Sequence, residues 1–402
     1  MELRLSERVR RPDFQGDFLK MILRVAAAGN LVSFAGGLPN PVSFPVQELA
    51  EATRSVLSRN GERALQYNNP QGYEPLRQLI ADRYAKKGLA VTTDDILITN
   101  GSQQALEMIA ATLIDEGDAI VVERPCYLAA LQAFHLFNPV VRTVELTPEG
   151  ASPEELQTIL ERDRPKFFYT VPDFQNPTGL TYSEGVRRRI AQAILRSDTL
   201  LVEDNPYEEL RFKGEASLSF HKLLGEQCVL TGSFSKIVSP GIRLGWIVCT
   251  CKPLWEELLG YKQRVDLHTS VFGQMVLDEY LRNNDLESHI AKIRDLYRHQ
   301  AEVMLDALQR HFPEEASWTR PEGGMFIWAT LPAGLAAVRL AEEAAKEGVM
   351  IAAGDPFYES DRNVPTFRLN YTNSSDEVIE KGIAVLGRII RRMMAESGRV
   401  GA

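Results

Sequence analysis

The spacing of apolar residues indicates alternating strands and helices from about residue 95 onward. In "DDILITNGSQQALEMIAATLIDEGD" (94–118), a short β-branched run predicts a strand over 96–99, followed by a turn at Gly101. Apolar residues at 106, 109, 110 and 113 then recur at helical spacing. The stretch therefore predicts a βα unit.

Six further apolar runs continue this alternation, with helical or loop segments between them. They are "AIVVE" (119–123), "VVRTVEL" (140–146), "KFFYTV" (166–171), "LLVED" (200–204), "CVLTG" (228–232) and "LGWIVC" (244–249). Strands that alternate with helices usually form a mostly parallel sheet covered by helices on both faces. The predicted fold class is α/β.

The pattern changes after about residue 275. A long charged helix is predicted over 286–311, and strands are predicted in "GMFIWATL" (324–331) and "TFRLNYT" (366–372). These elements predict a second, smaller α+β domain. The proline-rich "LPNPVSFP" (38–45) predicts an extended linker after an N-terminal arm.

Length and charge limit the possible partners. A chain of 402 residues is too long for one compact core, so two domains with a cleft between them are expected. The 45 Lys and Arg against 54 Asp and Glu give a net charge of -9, which argues against a nucleic-acid partner. The start "MELRLSERVRRPDF" has no apolar signal core, and no apolar run approaches the roughly 18 residues of a membrane span. We expect a cytoplasmic protein that acts on small molecules, without membrane contact.

The four cysteines do not predict a metal site. Cys249 and Cys251, in "WIVCTC", are predicted to share one face of a strand, but no neighbouring histidine or second cysteine pair accompanies them. Cys126 and Cys228 lie far from this pair along the chain. We expect buried, reduced thiols and no metal.

Polar side chains follow the carboxyl ends of four predicted strands, where open α/β sheets bind their ligands. We therefore expect these side chains to converge. They are Ser102 and Gln103 at a helix N-terminus, Asn176 before a proline turn, Glu203 and Asp204, and the group Ser233, Ser235 and Lys236.

An amine, a carboxylate, several hydroxyls, an arginine and a helix N-terminus together match the needs of pyridoxal 5'-phosphate (PLP). Lys236 would bond its aldehyde and a carboxylate would contact its ring nitrogen. The phosphate would be held by Ser233, Ser235 and Arg243 and by the backbone N–H groups of Gly101, Ser102 and Gln103. The alternative for "TGSFSKIVSPGIR" (231–243) is an ordinary exposed loop, since lysine and serine are common at surfaces.

Seven motifs together resemble the fold-type I PLP-dependent aminotransferases of class I/II. They are "SFAGGLPNPVSFP", "LQYNNPQGYEPLR", "TNGSQQAL", "DFQNPTG", "EDNPYEELRF", "GSFSKIVSPGIRLGW" and "FRLNY", and they span residues 33–371 in the family's order. Within the family they look like the 2-aminoadipate and kynurenine aminotransferase branch. The resemblance implies an N-terminal arm (1–45) that packs on the small domain, a large PLP-binding domain (46–280) and a small C-terminal domain (281–402).

The resemblance also assigns cofactor contacts. It makes Asp204 the partner of the pyridine nitrogen, Asn176 and Tyr207 the partners of the phenolic oxygen, and Tyr127 the ring that stacks on the pyridine. The residues alone also allow structural roles. Asp204 could be a helix N-cap, Asn176 and Tyr207 could stabilise turns, and Tyr127 could pack in the hydrophobic core.

For the substrate, the resemblance implies contacts from Gly37, Asn176 and Arg368, with the Arg368 guanidinium forking onto the α-carboxylate. On residue pattern alone, an arginine on the polar face of "TFRLNYT" is commonly solvent-facing. Tyr67 matches a tyrosine that reaches the phosphate of the neighbouring subunit, which implies a homodimer.

The implied activity is ping-pong transfer of the amino group of an L-amino acid to a 2-oxo acid such as 2-oxoglutarate, with Lys236 as both cofactor anchor and acid/base. The amino-group donor could be 2-aminoadipate, an aromatic amino acid or a branched, apolar amino acid. Either Lys20 or Arg24 could bind a distal carboxylate of the donor.

Three other functions compete with transamination. A PLP lyase, decarboxylase or racemase would use the same fold. A PLP-binding regulator would need tens of residues for a helix-turn-helix module before "SFAGG", which begins at residue 33. A nicotinamide-binding enzyme would need a G-x-G-x-x-G after the first strand, and none is found there.

Overall fold

The computed structural model describes residues 3–11, 15, 16, 18, 20 and 31–400. Arg24 lies outside these residues. The strands are β1 (Val32–Ser33), β2 (Ile96–Thr99), β3 (Ala119–Arg124), β4 (Val140–Thr147), β5 (Gly150–Ala151), β6 (Phe167–Thr170), β7 (Leu200–Asp204), β8 (Cys228–Ser233), β9 (Gly245–Val248), β10 (Ser317–Trp318), β11 (Phe326–Thr330), β12 (Val349–Met350), β13 (Ala352–Ala353) and β14 (Thr366–Asn370).

Helices surround these strands in the described part of the chain. They include α1 (Glu7–Arg10), α2 (Val46–Ala64), α3 (Glu74–Lys86), α4 (Gly101–Leu113), α5 (Leu128–His135), α6 (Pro153–Asp163), α7 (Glu184–Ile194), α8 (Phe220–Leu224), α9 (Lys252–Val265), α10 (Val271–Asn283), α11 (Leu286–His311), α12 (Ala337–Lys346) and α13 (Asp376–Val400). None of the helices in the described ranges is long and apolar enough to cross a bilayer.

An eight-stranded sheet with the order β2-β9-β8-β7-β6-β3-β4-β5 positions the candidate site. The neighbours from β8 through β7, β6 and β3 to β4 pair in parallel, whereas β9 and β5 run antiparallel to their neighbours. The predicted α/β class is confirmed, and β2 to β4 and β6 to β9 fall on the predicted apolar runs. The parallel strands bring their carboxyl ends to one edge.

A four-stranded sheet, β10-β11-β14-β13, contains both strands predicted in the C-terminal part. The predicted long helix is α11, which begins at Leu286 and ends at His311. Strand β1 pairs in parallel with β12, so the segment around residue 32 joins the C-terminal part of the chain.

Two local predictions were wrong. The proline-rich stretch is not extended throughout, because Pro41–Ser43 form a 3₁₀ turn that is capped by the Asn40 side chain. Cys249 and Cys251 do not share a strand face, because β9 ends at Val248 and Cys251 directly precedes α9. All four thiols are free, and those of Cys126, Cys228 and Cys249 are buried.

Candidate active site

A cavity of about 410 Å³ lies at the carboxyl ends of β7 and β8 and beside the start of α4. It contains most of the side chains that the sequence singled out. Its lining includes Gly37, Ser102, Gln103, Tyr127, Asn176, Asp204, Tyr207, Ser233, Ser235, Lys236, Arg243 and Arg368. Of the predicted cofactor and substrate contacts, Gly101 and Tyr67 do not line it.

Lys236 lies three residues beyond the end of β8 and extends its amine into the cavity. The amine donates a hydrogen bond to the Gly37 carbonyl at 3.1 Å. Burial and the positive charges of Arg368 and Arg243 lower the pKa of this amine to about 8. A useful fraction of the amine is therefore neutral, and nucleophilic, at mildly alkaline pH.

Asp204 ends β7, and its carboxylate is buried. Tyr169 donates its hydroxyl to Oδ2 at 2.8 Å, and Thr231 donates its hydroxyl to Oδ1 at 2.7 Å. Burial raises the pKa of Asp204, while these two hydrogen bonds oppose the rise. The carboxylate thus bonds hydroxyls of neighbouring strands rather than the N–H groups of a helix end, so the helix-cap interpretation does not hold.

Glu203, the other carboxylate of this strand end, does not reach the cavity. Successive side chains of a strand point to opposite faces of the sheet. The Glu203 carboxylate instead accepts hydrogen bonds from the Ser219 hydroxyl at 2.7 Å and the His221 backbone N–H at 3.0 Å. Of the two neighbouring carboxylates, only Asp204 can contact a ligand in the cavity.

Asn176, Tyr207 and Arg368 form a connected group that also lines the cavity. The Asn176 amide donates to the Tyr207 hydroxyl at 3.3 Å, and Arg368 donates from one terminal nitrogen to Asn176 Oδ1 at 2.7 Å. The second terminal nitrogen of Arg368 donates to the Ala35 carbonyl at 2.6 Å. Three elements distant in sequence therefore fix one guanidinium.

The Arg368 guanidinium is also held between two aromatic rings. Its central carbon lies 4.3 Å from the Phe326 ring centroid and 4.9 Å from that of Phe357. Arg368 is only 4% exposed, so the solvent-facing interpretation was wrong, and burial lowers its pKa to about 10. Its Nε–H is buried and has no hydrogen-bond partner among the described residues, which leaves a donor for an acidic ligand.

Ser233, Ser235 and Arg243 line the cavity together with the start of α4. Ser233 donates its hydroxyl to the Ser235 hydroxyl at 2.9 Å, and Arg243 donates to the Asn100 carbonyl at 3.3 Å. Gly101 has a positive φ of 75°, and a Cβ there would lie 2.7 Å from an Arg243 nitrogen. Glycine thus lets the guanidinium lie against the first helical turn, although Gly101 itself does not line the cavity.

Ser102 and Gln103 belong to that first turn and line the cavity. The Gln103 side chain donates to the Ala129 carbonyl at 2.9 Å, so its amide binds the neighbouring α5 rather than a ligand. The backbone N–H groups of the turn receive no side-chain cap from Asn100. Uncapped N–H groups at a helix start attract anions.

Tyr127 and Gly37 border the cavity from the loops before α5 and after β1. Tyr127 is half-buried, and burial followed by the charge of Asp204 raises its pKa to about 12, so the ring stays neutral. Gly37 approaches Phe326 so closely that a Cβ would lie 3.1 Å from that ring. Both placements suit contact with a bound ligand.

Tyr67 lies away from this cavity. Its side chain is 78% exposed, and its ring packs edge-on against His268 with centroids 5.8 Å apart. Lys20 is exposed, and it does not line the cavity. Neither residue completes the site within the single chain.

The sequence interpretation missed several lining residues and the two hydroxyls that hold Asp204. Tyr169 and Thr231 could have been noticed, since each is a polar residue within a strand predicted to be buried. The apolar or small lining residues had no such signal, because their types are common in any core; they are Gly36, Leu38, Leu128, Ala129, Val171, Pro206 and Pro240. Gln132 also lines the cavity from α5.

The chemistry of these groups fits PLP. Asp204 is a buried carboxylate whose hydrogen-bond partners are both neutral, so a cationic ring nitrogen would compensate its charge. Lys236 supplies a primary amine with a lowered pKa, and Arg243 with the open start of α4 supplies an anion cradle. Each reactive part of the cofactor has a matching group.

Comparison with known proteins agrees with this fit. The family model for aminotransferases of class I and II matches residues 35–386. The chain is 39% identical over 386 residues to the 2-aminoadipate transaminase of Thermus thermophilus, covering 95% of both chains. It is 37% identical over 415 residues to aromatic-amino-acid aminotransferase 1 of Thermococcus litoralis, covering 98% of this chain and 99% of that one.

A solved structure extends the likeness to three dimensions. The alpha-aminoadipate aminotransferase from Thermus thermophilus, complexed with N-(5'-phosphopyridoxyl)-L-leucine, superposes with a TM-score of 0.88 at 37% identity. The match covers 97% of this chain and 100% of that one. The matched family, the relatives and the shared architecture lead to one conclusion: this chain belongs to the class I and II aminotransferases.

Proposed function

We propose that this enzyme transfers the amino group of an L-amino acid to a 2-oxo acid, with PLP bound in the cavity around Lys236. PLP-dependent transamination follows from the family. The observation that carries the assignment to these residues is the presence of Lys236, Asp204 and Arg368 in one cavity. An amine, a ring-nitrogen partner and an α-carboxylate partner are the three groups that such a reaction requires.

Lys236 and Asp204 have separate roles in the proposed mechanism. When bound, PLP supplies a protonated pyridine ring that accepts the electron pair released at the substrate Cα. The Asp204 carboxylate would keep a proton on the ring nitrogen, because its negative charge favours the protonated form. The Lys236 amine, whose pKa is lowered to about 8, would accept the proton of the substrate Cα at its Nζ and would act as the acid that gives the proton back.

Arg368 binds the substrate through its α-carboxylate. A guanidinium has five N–H donors, and the contacts to Asn176 and Ala35 use two of them. The buried Arg368 Nε–H, which has no partner within the described part of the chain, leaves a donor for a carboxylate beside the two terminal nitrogens. Because the stacked rings prevent the guanidinium from tilting, the substrate Cα is oriented toward Lys236.

The remaining cavity residues would hold the cofactor in place. Ser233, Ser235 and Arg243 would bind the phosphate together with the N–H groups of Gly101, Ser102 and Gln103. Asn176 and Tyr207 would bond the phenolic oxygen, Tyr127 would cover the ring, and Gly37 would border the substrate.

The donor is proposed to be 2-aminoadipate, an aromatic amino acid or a branched, apolar one, with 2-oxoglutarate as an acceptor. The names of the two relatives and the leucine adduct of the solved structure support this range. A panel of L-amino acids incubated with 2-oxoglutarate tests it: at least one donor is expected to yield its oxo acid and glutamate in equal amounts. The lyase, decarboxylase and regulator alternatives are not favoured. Release of carbon dioxide without formation of glutamate would instead indicate a decarboxylase.

Arg368→Lys is expected to raise KM about a hundredfold for every amino acid accepted, and to lower kcat as well. Lysine provides a point charge where two parallel hydrogen bonds are needed, and it cannot stack between the two rings in the same way. Steady-state kinetics with three donors of different side chains measures the effect. Arg196→Lys, at an exposed position, is the control. An unchanged KM for all donors would remove Arg368 from the α-carboxylate site.

We also propose a homodimer in which Tyr67 reaches the phosphate of the neighbouring site. Tyr67 is 78% exposed and packs on His268, and the apolar chain neighbours of these two residues, Leu65, Val265 and Leu267, are exposed as well. These exposures support an apolar surface that a second copy would cover. Sedimentation equilibrium at assay concentration is expected to give twice the chain mass. A monomer with full catalytic activity would contradict this assembly.

We further propose that the chain divides into an arm (1–45), a large domain (46–280) and a small domain (281–402). This division is supported by the two larger sheets, since the eight-stranded one uses residues 96–248 and the four-stranded one residues 317–370. The pairing of β1 with β12 supports an arm that packs on the small domain.

A further inference from the structure

Asn100 occupies the N-cap position of α4 but does not cap the helix. Asparagine is among the best N-cap residues, because its side-chain oxygen accepts a hydrogen bond from the second or third N–H of the helix. Here the side chain turns away and donates from Nδ2 to Asp266 Oδ2 at 2.8 Å. The second and third N–H groups, those of Ser102 and Gln103, therefore remain uncapped.

A polar cluster centred on the buried Lys262 holds Asn100 in this orientation. Lys262 has a fully buried side chain and donates to both Asp266 oxygens at 3.0 Å, to Gln104 Oε1 at 3.2 Å and to the Thr269 hydroxyl at 3.0 Å. Gln104 donates to Asp266 Oδ2 at 2.7 Å and accepts the Asn100 backbone N–H at 2.8 Å. The cluster thus binds Asn100 through both its main chain and its side chain.

The backbone of this turn is also held away from a regular cap. Asn100 has φ −76° and ψ 64°, and Gly101 follows with φ 75°. The Asn100 carbonyl accepts a hydrogen bond from Arg243 in this conformation. The same turn therefore leaves two N–H groups uncapped and brings a guanidinium beside them.

We propose that Lys262, Asp266 and Gln104 are positioning residues that keep Asn100 from capping α4, so that the helix N–H groups stay available to the cofactor phosphate. The inference rests on the proposed function, because it presumes that the phosphate binds at this helix start. Neither Lys262 nor Asp266 lines the cavity. They act through Asn100.

A purely structural cluster would give a different result from a positioning cluster. Loss of Asp266 frees the Asn100 side chain, while Gln104 can keep its contacts to Lys262 and to the Asn100 N–H. Once its side chain is free, Asn100 is expected to cap the helix by a change of its ψ from 64° toward the extended values of an N-cap, and the cap then competes with the phosphate. Removing the Asn100 side chain as well removes the competitor, which restores phosphate binding without restoring the lost stability.

The experiment uses the cofactor-free full chain as wild type, Asp266→Ala, Asn100→Ala and the double variant. Dissociation constants are measured for PLP, for inorganic phosphate and for pyridoxal, which has no phosphate. Asp266→Ala is expected to weaken PLP and phosphate about fivefold, a typical effect of one helix cap. The double variant should return to within about twofold of wild type, and pyridoxal binding should change by less than about twofold throughout.

Asp266→Asn is measured in parallel, because it keeps an acceptor oxygen for buried Lys262. The new amide faces the side-chain donors of Asn100 and Gln104. We therefore expect Asp266→Asn to weaken the binding of PLP and phosphate, but less than Asp266→Ala does. Asp198→Ala, at an exposed position, is the control. The inference is overturned if Asp266→Ala binds phosphate as wild type does, if Asn100→Ala fails to rescue it, or if pyridoxal weakens equally. Failure of the wild type itself to bind PLP would overturn the proposed function, and this inference with it.

Discussion

Lys236→Ala is expected to lose the visible absorbance of the lysine-bound cofactor and to reduce transamination by about 10⁴-fold, the upper end of the range for an acid–base group. Among the described residues that line the cavity, the other cations are the guanidinium groups of Arg243 and Arg368, so none of these residues offers a second amine. Borohydride reduction followed by peptide mass analysis measures the first effect, and a 2-oxoglutarate-coupled assay measures the second.

Lys213→Ala is the matched control, because Lys213 is exposed and lies outside the cavity. It should keep the absorbance, the reducible adduct and the rate. A borohydride-stable cofactor adduct on another lysine of the Lys236 variant would show that the anchor was misassigned.

Asp204→Asn is expected to retain bound cofactor but to lower kcat by about a hundredfold or more, the scale for losing one preorganised charge partner. A neutral amide cannot favour a proton on the ring nitrogen as a carboxylate does. Its amide group would also face the hydroxyl donors of Tyr169 or Thr231, so it cannot reproduce both hydrogen bonds. Cofactor content and kcat are measured on the same preparation.

The exposed Asp198→Asn variant controls for the loss of one negative charge. It should match the wild type in both measurements. A near-normal kcat in Asp204→Asn would mean that this carboxylate only supports the strands around it.

Much of the fold could be predicted because each central strand is a short apolar run followed by polar residues. The run "LLVED" matches β7 residue for residue, and "ILITNGSQQAL" contains the predicted strand, turn and helix start. The direction of each strand within the sheet was harder to predict from the sequence. Strand β9 lies antiparallel between β2 and β8, and a fully buried run has the same composition in either direction.

The candidate site was partly predictable for a related reason. Residues that follow parallel strands gather at one edge, so Asp204, Ser233 and Lys236 could be expected to meet. The partners of Arg368 could not be read from a pattern, because Asn176 and Ala35 are 192 and 333 residues away along the chain. Lys262 gave no signal either, since it looks like an ordinary charged residue of a surface helix.

Single-turnover stoichiometry tests the proposed transamination at this site most directly. The purified enzyme with its cofactor is mixed with an excess of an accepted amino acid and no oxo acid, and the oxo acid released is quantified per active site. One equivalent should form, after which the reaction stops until 2-oxoglutarate is added and glutamate appears. Continued turnover without an acceptor, or release of carbon dioxide, would contradict the account.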